Sequence, residues 1–190
     1  MKEEPKKLNV KKIILIGLGV LAGLIIVYAL GLWIFFTVTF KAYSNEKDGI
    51  EVSYPKTWEV KEYPAEDVIV SFVAPKENAL DTFAENVSFS TYDMSKMPHS
   101  TDDYAKIMID QLLMLFEDLQ LVEKSFFPVG GQNGYRMVLK IVGEEAKTIV
   151  VYAFTIDTMG YNVLYVGAND RYIKERFLLD AMAMSLRVRY

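Results

Sequence analysis

The chain has no cysteine and a single histidine, His99, among 190 residues. Without cysteine there are no disulfides, no thiolate metal sites, no cysteine nucleophile and no lipid-modified cysteine anchor. One histidine leaves too few nitrogen or sulfur ligands for a transition-metal site. Excess positive charge is lacking as well. The formal charge is −4 and the pI about 5.2, whereas a nucleic-acid binder shows a basic patch or stripe. There is no internal repeat and no low-complexity tract. Motif-level chemistry is equally sparse: no GxSxG elbow and no Gly-rich loop followed by Lys-Ser/Thr occur.

What is present in abundance is apolar residue, 52% of the chain, and it is unevenly spread. From Ile13 to Phe40, 28 residues carry no charge, and only Gly17, Gly19, Gly23, Gly31, Thr37 and Thr39 are not hydrophobic. About 20 apolar residues cross a bilayer as a helix. A secretory signal peptide has an apolar region of only about 7–15 residues. The run therefore reads as a retained signal anchor, although Ala42-Tyr43-Ser44 has the small-x-small form of a cleavage site. Lys2, Lys6, Lys7, Lys11 and Lys12 precede the run, while Lys41, Glu46 and Asp48 follow it. The positive-inside rule puts the N-terminus in the cytoplasm and the rest outside a cell membrane. Gly19 and Gly23 form a GxxxG pattern that admits a second helix backbone, a partner's or another copy's. Glycine is also common in membrane helices generally.

Four segments are expected: a basic cytoplasmic tail over 1–12, a transmembrane helix over 13–40, a linker over 41–48 and an outer domain over 49–190. Residues 1–40 carry five Lys against two Glu, and residues 41–190 carry 16 basic against 23 acidic residues. The outer part is thus an acidic domain of ordinary size.

Alternation of Ile50, Val52 and Tyr54 with polar residues predicts a half-buried strand. Trp58 to Tyr63 reads as a short strand. Val68 to Ala74 is almost wholly apolar, as a strand covered on both faces would be. Lys76 to Glu85 reads as a loop, and Asn86 to Tyr92 as a strand. Ser100 or Thr101 caps a helix with Asp102 and Asp103 in its first turn. Its apolar stripe is Ala105, Met108, Leu112, Leu115 and Phe116. Strands follow over Leu121–Phe127, Tyr135–Val142, Thr148–Ile156 and Tyr161–Val166. A last helix, capped by Asn169 or Asp170, has Ile173, Phe177, Leu178, Ala181 and Met182 as its apolar face. Helices separated by hairpin-linked strands predict an α+β domain with an antiparallel sheet.

This order carries a family pattern: Gly49-Ile50, Tyr54-Pro55 and Trp58; Phe72 and Pro75; Asn86-Val87-Ser88-Phe89; Asp103-Tyr104-Ala105; Gly134-Tyr135; Tyr152; Tyr165; Phe177 and Ser185-Leu186. It resembles the PsbP-like domain family, related in fold to DcrB-like and LpqN-like lipoproteins, over about residues 46–190. The resemblance implies a central antiparallel β-sheet flanked by helices and a non-catalytic protein outside the membrane. The best-known members are extrinsic subunits that stabilise photosystem II. Their cleaved targeting sequence and basic docking surface have no counterpart here, so the fold carries over, and no functional residue or photosynthetic role does.

The candidate sites are few. His99 with Ser100 and Asp102 has the residue types of a Ser-His-Asp device, but neighbours at a helix start are caps first. Asp81 with Glu85, or Asp102 with Asp103, brings two carboxylates together without an EF-hand pattern, and reads as a solvated acidic face. Gly130, Gly131 and Gly134 precede a strand, so they read as a loop between strands rather than a phosphate cradle. Met94 and Met97 are candidates for an adaptable partner surface if their loop is exposed. No catalytic, cofactor or metal residue is assigned. The expected function is a membrane-anchored accessory or binding subunit of a membrane complex, with the bilayer and a membrane protein or a second copy as partners and no nucleic acid. A small-ligand or lipid-binding module is the alternative, and a hydrolase a remote one.

Overall fold

The computed structural model describes residues 10–62, 68–77, 83–97, 100–143 and 146–189. The chain divides into two compact units, Met1–Phe40 and Lys41–Tyr190. The first is one helix, α1 (Val10–Thr39), and within it Ile16–Thr39 is long and apolar enough to cross a membrane, with a mean hydropathy of 2.4 over its most apolar window. Its described large apolar side chains, Ile14 and those from Ile16 on, are exposed, as a lipid-facing helix would require.

The second unit is built on strands. Residues 41–48, expected as a linker, instead begin with most of a strand, β1 (Phe40–Asn45), which pairs with β2 (Ile50–Pro55). Asn45 closes the turn between them: its side-chain carbonyl accepts the N–H groups of Lys47 and Asp48 at 3.0 and 3.2 Å. Tyr43 then sets its ring edge-on to Phe72 at 5.7 Å. Nothing in a six-residue polar stretch announces such a strand, because its stabilising contacts lie elsewhere in the chain. A short C-terminal strand, β10 (Arg187–Val188), completes this three-stranded sheet on the other side of β2.

The main sheet has seven strands: β3 (Glu59–Lys61), β4 (Val68–Val73), β5 (Asn86–Asp93), β6 (Leu119–Val129), β7 (Gln132–Ile141), β8 (Lys147–Ile156) and β9 (Met159–Ala168). Their order is β3-β4-β5-β9-β8-β7-β6, and each neighbouring pair runs antiparallel. The fold is therefore α+β, with helices α2 (Thr101–Leu115) and α3 (Asn169–Ser185) packed on the sheet. The β6–β7 connection is tighter than the sequence reading: Gly130 and Gly131, both at positive φ, form the whole turn. Two successive residues in that region are what a two-residue hairpin demands, and glycine meets it without strain. Gly134, read as part of that loop, lies inside β7.

Register divides the core into two layers. Met137, Leu139, Ile149, Val151 and Ala153 face α2, where they meet Tyr104, Ala105, Ile109 and Leu112. The alternate residues, including Phe89, Val150, Tyr152, Val163 and Tyr165, line the opposite face. There Phe72 packs edge-on to Phe89 at 5.6 Å and against Tyr54 at 4.5 Å.

Candidate functional site

The sequence-derived candidates scatter. Gly19 and Gly23 lie one turn apart on α1, with nothing within 4 Å of where a Cβ would stand. Met94 is fully buried in the core beneath α2, whereas Met97, three residues on, is 36% exposed. The pair is therefore split between interior and surface. His99 and Asp81 lie outside the described residues. Ser100 is the N-cap of α2: its hydroxyl accepts the Asp103 N–H at 3.1 Å and donates to the Asp103 carboxylate. Asp102 pairs with Lys124 at 2.7 Å, which holds its pKa below the ordinary carboxylate value. Glu85 is buried, 3.4 Å from the guanidinium of Arg171. Gly130 and Gly131 are the turn already described. Among the described residues no group of three or more His, Asp or Glu is placed to hold a metal ion.

The structure brings together two arginine-centred clusters that periodicity did not reveal. In the first, Arg136 on β7 is buried and donates to Glu123 on β6 at 2.6 Å and to Asp180 on α3 at 3.3 and 3.4 Å. Tyr152 on β8 donates its hydroxyl to the same Asp180 at 2.7 Å. Burial pushes the Tyr152 phenol well up, so it acts as a fixed donor. The hydrogen bond from Arg136 holds the Glu123 carboxyl below its usual range. In the second cluster, Arg171 on α3 meets Glu77 at 2.6 Å, Glu85 at 3.4 Å and Glu175 at 3.2 Å. Tyr165 donates to Glu175 at 3.3 Å. Burial, outweighing Arg171, raises the Glu175 carboxyl above its normal value.

Both clusters lie between α3 and the sheet, and they explain a difference from the expected apolar face. Tyr172, Glu175, Leu179, Ala181, Met182 and Ala183 are buried, whereas Ile173 is 77% and Phe177 56% exposed. Neither Asn169 nor Asp170 caps the helix; Ala168 holds the N-cap position without a side-chain bond. Asn169 instead accepts the Thr148 hydroxyl at 2.6 Å. The inner face of α3 is half ionic, and charged residues with partners in the sheet do not register as a hydrophobic stripe. Two arginines bonded to carboxylates on several elements position a helix, while the buried Nε of each makes no hydrogen bond. A cleft of about 440 Å³ lies by the β1–β2 turn, lined among others by Asn45, Glu51 and Arg189.

The helix α2 leaves a different surface. Its buried residues are Tyr104, Ala105, Ile109 and Leu112, while Leu115 and Phe116, expected on the inner stripe, face outward. Leu112 is the last residue of the helix that reaches the core, and the residues after it are exposed. This end is an exposed apolar surface that sequence reasoning missed, because its residues continue a stripe that is buried one turn earlier.

No family model matches the chain, and no curated protein matches it. Solved structures do. The solution structure of cyanobacterial PsbP (CyanoP) from Synechocystis shares 22% identity over 80% of this chain and 94% of that one, with a TM-score of 0.58. LpqN, involved in cell envelope biogenesis of Mycobacterium tuberculosis, is 9% identical, covers 80% of this chain and 91% of its own, and has a TM-score of 0.60. The Ran-binding protein Mog1p of Saccharomyces cerevisiae is 10% identical, with coverage of 80% and 96% and a TM-score of 0.58. The strand order, the two helices and these likenesses agree: Lys41–Tyr190 has the PsbP-like fold, and in this chain it follows an apolar helix long enough to cross a membrane.

Proposed function

We propose that the protein is a single-pass membrane protein whose C-terminal domain, outside the membrane, is a non-catalytic binding subunit of a membrane complex. The observation that carries the reading is the joining of a PsbP-like domain to α1, the apolar helix. The five lysines before the uncharged run that starts at Ile13 favour a cytoplasmic N-terminus. LpqN, whose fold is alike, is described as acting in the cell envelope, and CyanoP and Mog1p supply a fold used by a PsbP and by a Ran-binding protein. The buried acids and phenols of the domain are engaged in holding α3, which accords with a structural and binding role. Gly19 and Gly23 are the helix positions at which a membrane partner or second copy would pack.

The test is purification of the intact chain from its native membrane in a mild detergent. A stoichiometric partner or self-association that Gly19→Ile with Gly23→Ile weakens is the expected result. Monomer alone across several detergents would overturn the reading.

A further inference from the structure

Six exposed large apolar side chains of the domain come from the C-terminal end of α2 and the strand ends beside it. Leu113, Met114, Leu115 and Phe116 close α2, and Leu121 and Val142 come from the adjoining ends of β6 and β7. Met114 is 85% and Leu115 73% exposed. The elements are tied there: Leu119 N–H donates to Phe116 O, and Val142 N–H to Asp118 O, both at 3.3 Å. In register Leu121 stands opposite Leu139, on the side of the sheet that faces α2. Isolated exposed apolar residues need no account, but a contiguous set does.

The charges nearest the C-terminal end of α2 are acidic. Asp110 lies one turn before Met114, and Glu117 and Asp118 follow Phe116; none of the three makes an ion pair among the described residues. Two of them sit just past the C-terminus of α2, where the helix dipole already favours cations, and its last turn has no basic residue. A local arrangement that costs stability and serves no partner inside the fold fits a partner outside it.

We propose that this end of the domain docks a segment of a partner protein carrying bulky apolar residues flanked by Lys or Arg. This rests on the binding-subunit reading and names its surface. The apolar side chains would cover Met114, Leu115 and Phe116, and the flanking cations would meet Glu117 and Asp118 at the helix end. The same carboxylates disfavour the two other occupants. An anionic bilayer surface repels them, and a neutral one offers them no counter-charge. A second copy docked about a twofold axis would set this acidic patch against itself.

The experiment uses the full chain in phosphatidylcholine nanodiscs, followed by amide chemical shifts. The probe is a synthetic hexapeptide of Leu and Val flanked by Arg, with a Glu-flanked twin as control. The Arg probe is expected to shift residues 113–122 and Val142, and to bind about tenfold or more tighter than its twin. Glu117→Gln with Asp118→Asn should erase most of that preference, and Met114→Ser with Leu115→Ser should abolish the shifts. These positions are exposed, so the variants keep the fold, which circular dichroism checks. Equal binding of both peptides, binding of neither, or shifts confined elsewhere would overturn the proposal. So would patch signals that broaden with protein concentration alone, marking a second copy, or that move with vesicle lipid, marking a bilayer. In native membranes, a complex that survives Met114→Ser with Leu115→Ser sinks the surface and leaves the binding-subunit reading standing. Absence of any complex with the unaltered chain sinks that reading instead.

Discussion

Tyr104 shows how one side chain sets the α2 layer. It is fully buried, and its hydroxyl accepts from the Asn162 side-chain amide at 2.8 Å. Burial pushes its phenol up to about 12. The ring lies so near β9 that a Cβ on Gly160 would stand 2.6 Å from it, which explains glycine there. Tyr104→Phe keeps the ring and removes the acceptor, leaving the Asn162 amide short of a partner. Chemical denaturation should show a loss of about 1–3 kcal/mol, the usual cost of an unmet buried polar group. Arg136 makes the complementary case. Arg136→Met removes the cation between Glu123 and Asp180 and leaves Asp180 with the Tyr152 hydroxyl and a 4.0 Å contact to the half-exposed Arg176. Breaking a buried pair costs about 3–5 kcal/mol. Glu123 is partly open to water, so a value at or below the low end of that range is expected from the same denaturation measurement.

At the scale of elements, α3 is the piece held by charge, so its attachment depends on pH. Glu77 and Glu123 have lowered pKa values through bonds from Arg171 and Arg136 respectively. A carboxyl depressed in the fold contributes stability above its unfolded value, near 4.5, and that contribution is lost as pH falls through the folded value. Glu175 works the other way: burial raises its pKa, so its charged form costs stability at neutral pH, and proton uptake relieves that cost as pH falls. With two lowered carboxyls against one raised, the helix should loosen in acid. Glu123→Gln should lower the melting temperature at pH 7 and flatten its fall between pH 7 and about pH 3. An unchanged slope would show that Glu123 does not carry the effect. The same helix shows where sequence pattern stopped being informative. Strands β2, β4, β5, β8 and β9 were legible because alternation and dense apolar runs report sheet burial directly. The Ser100 cap was legible from its Asp-rich first turn. The inner face of α3 was not, since Glu175, Arg171 and Asp180 occupy it and their partners Glu85, Tyr165, Arg136 and Tyr152 are distant in sequence. Nor was β1, whose pairing with β2 no local propensity announces. The exposed end of α2 was hidden for the converse reason: Leu115 and Phe116 have the spacing of core residues, yet both are exposed.

For the whole molecule, the decisive quantity is the side of the membrane on which the domain lies, and the missing cysteines make it measurable. A chain without a native thiol has no background toward a maleimide, so one introduced cysteine reports one position. Lys96 is exposed, in the segment between β5 and α2, and tolerates substitution without disturbing the core. Lys7 belongs to the basic stretch before α1. If the lysines hold the N-terminus in the cytoplasm, Lys96→Cys reacts with a membrane-impermeant maleimide in intact cells, while Lys7→Cys reacts only after permeabilisation. The cause is the cost of carrying five charged residues across the hydrocarbon, against a C-terminal domain that crosses largely regardless of its charge. Labelling of Lys7→Cys but not Lys96→Cys in intact cells would invert the topology. A domain placed in the cytoplasm would then have to find its basic, apolar partner among soluble proteins and the inner faces of membrane proteins.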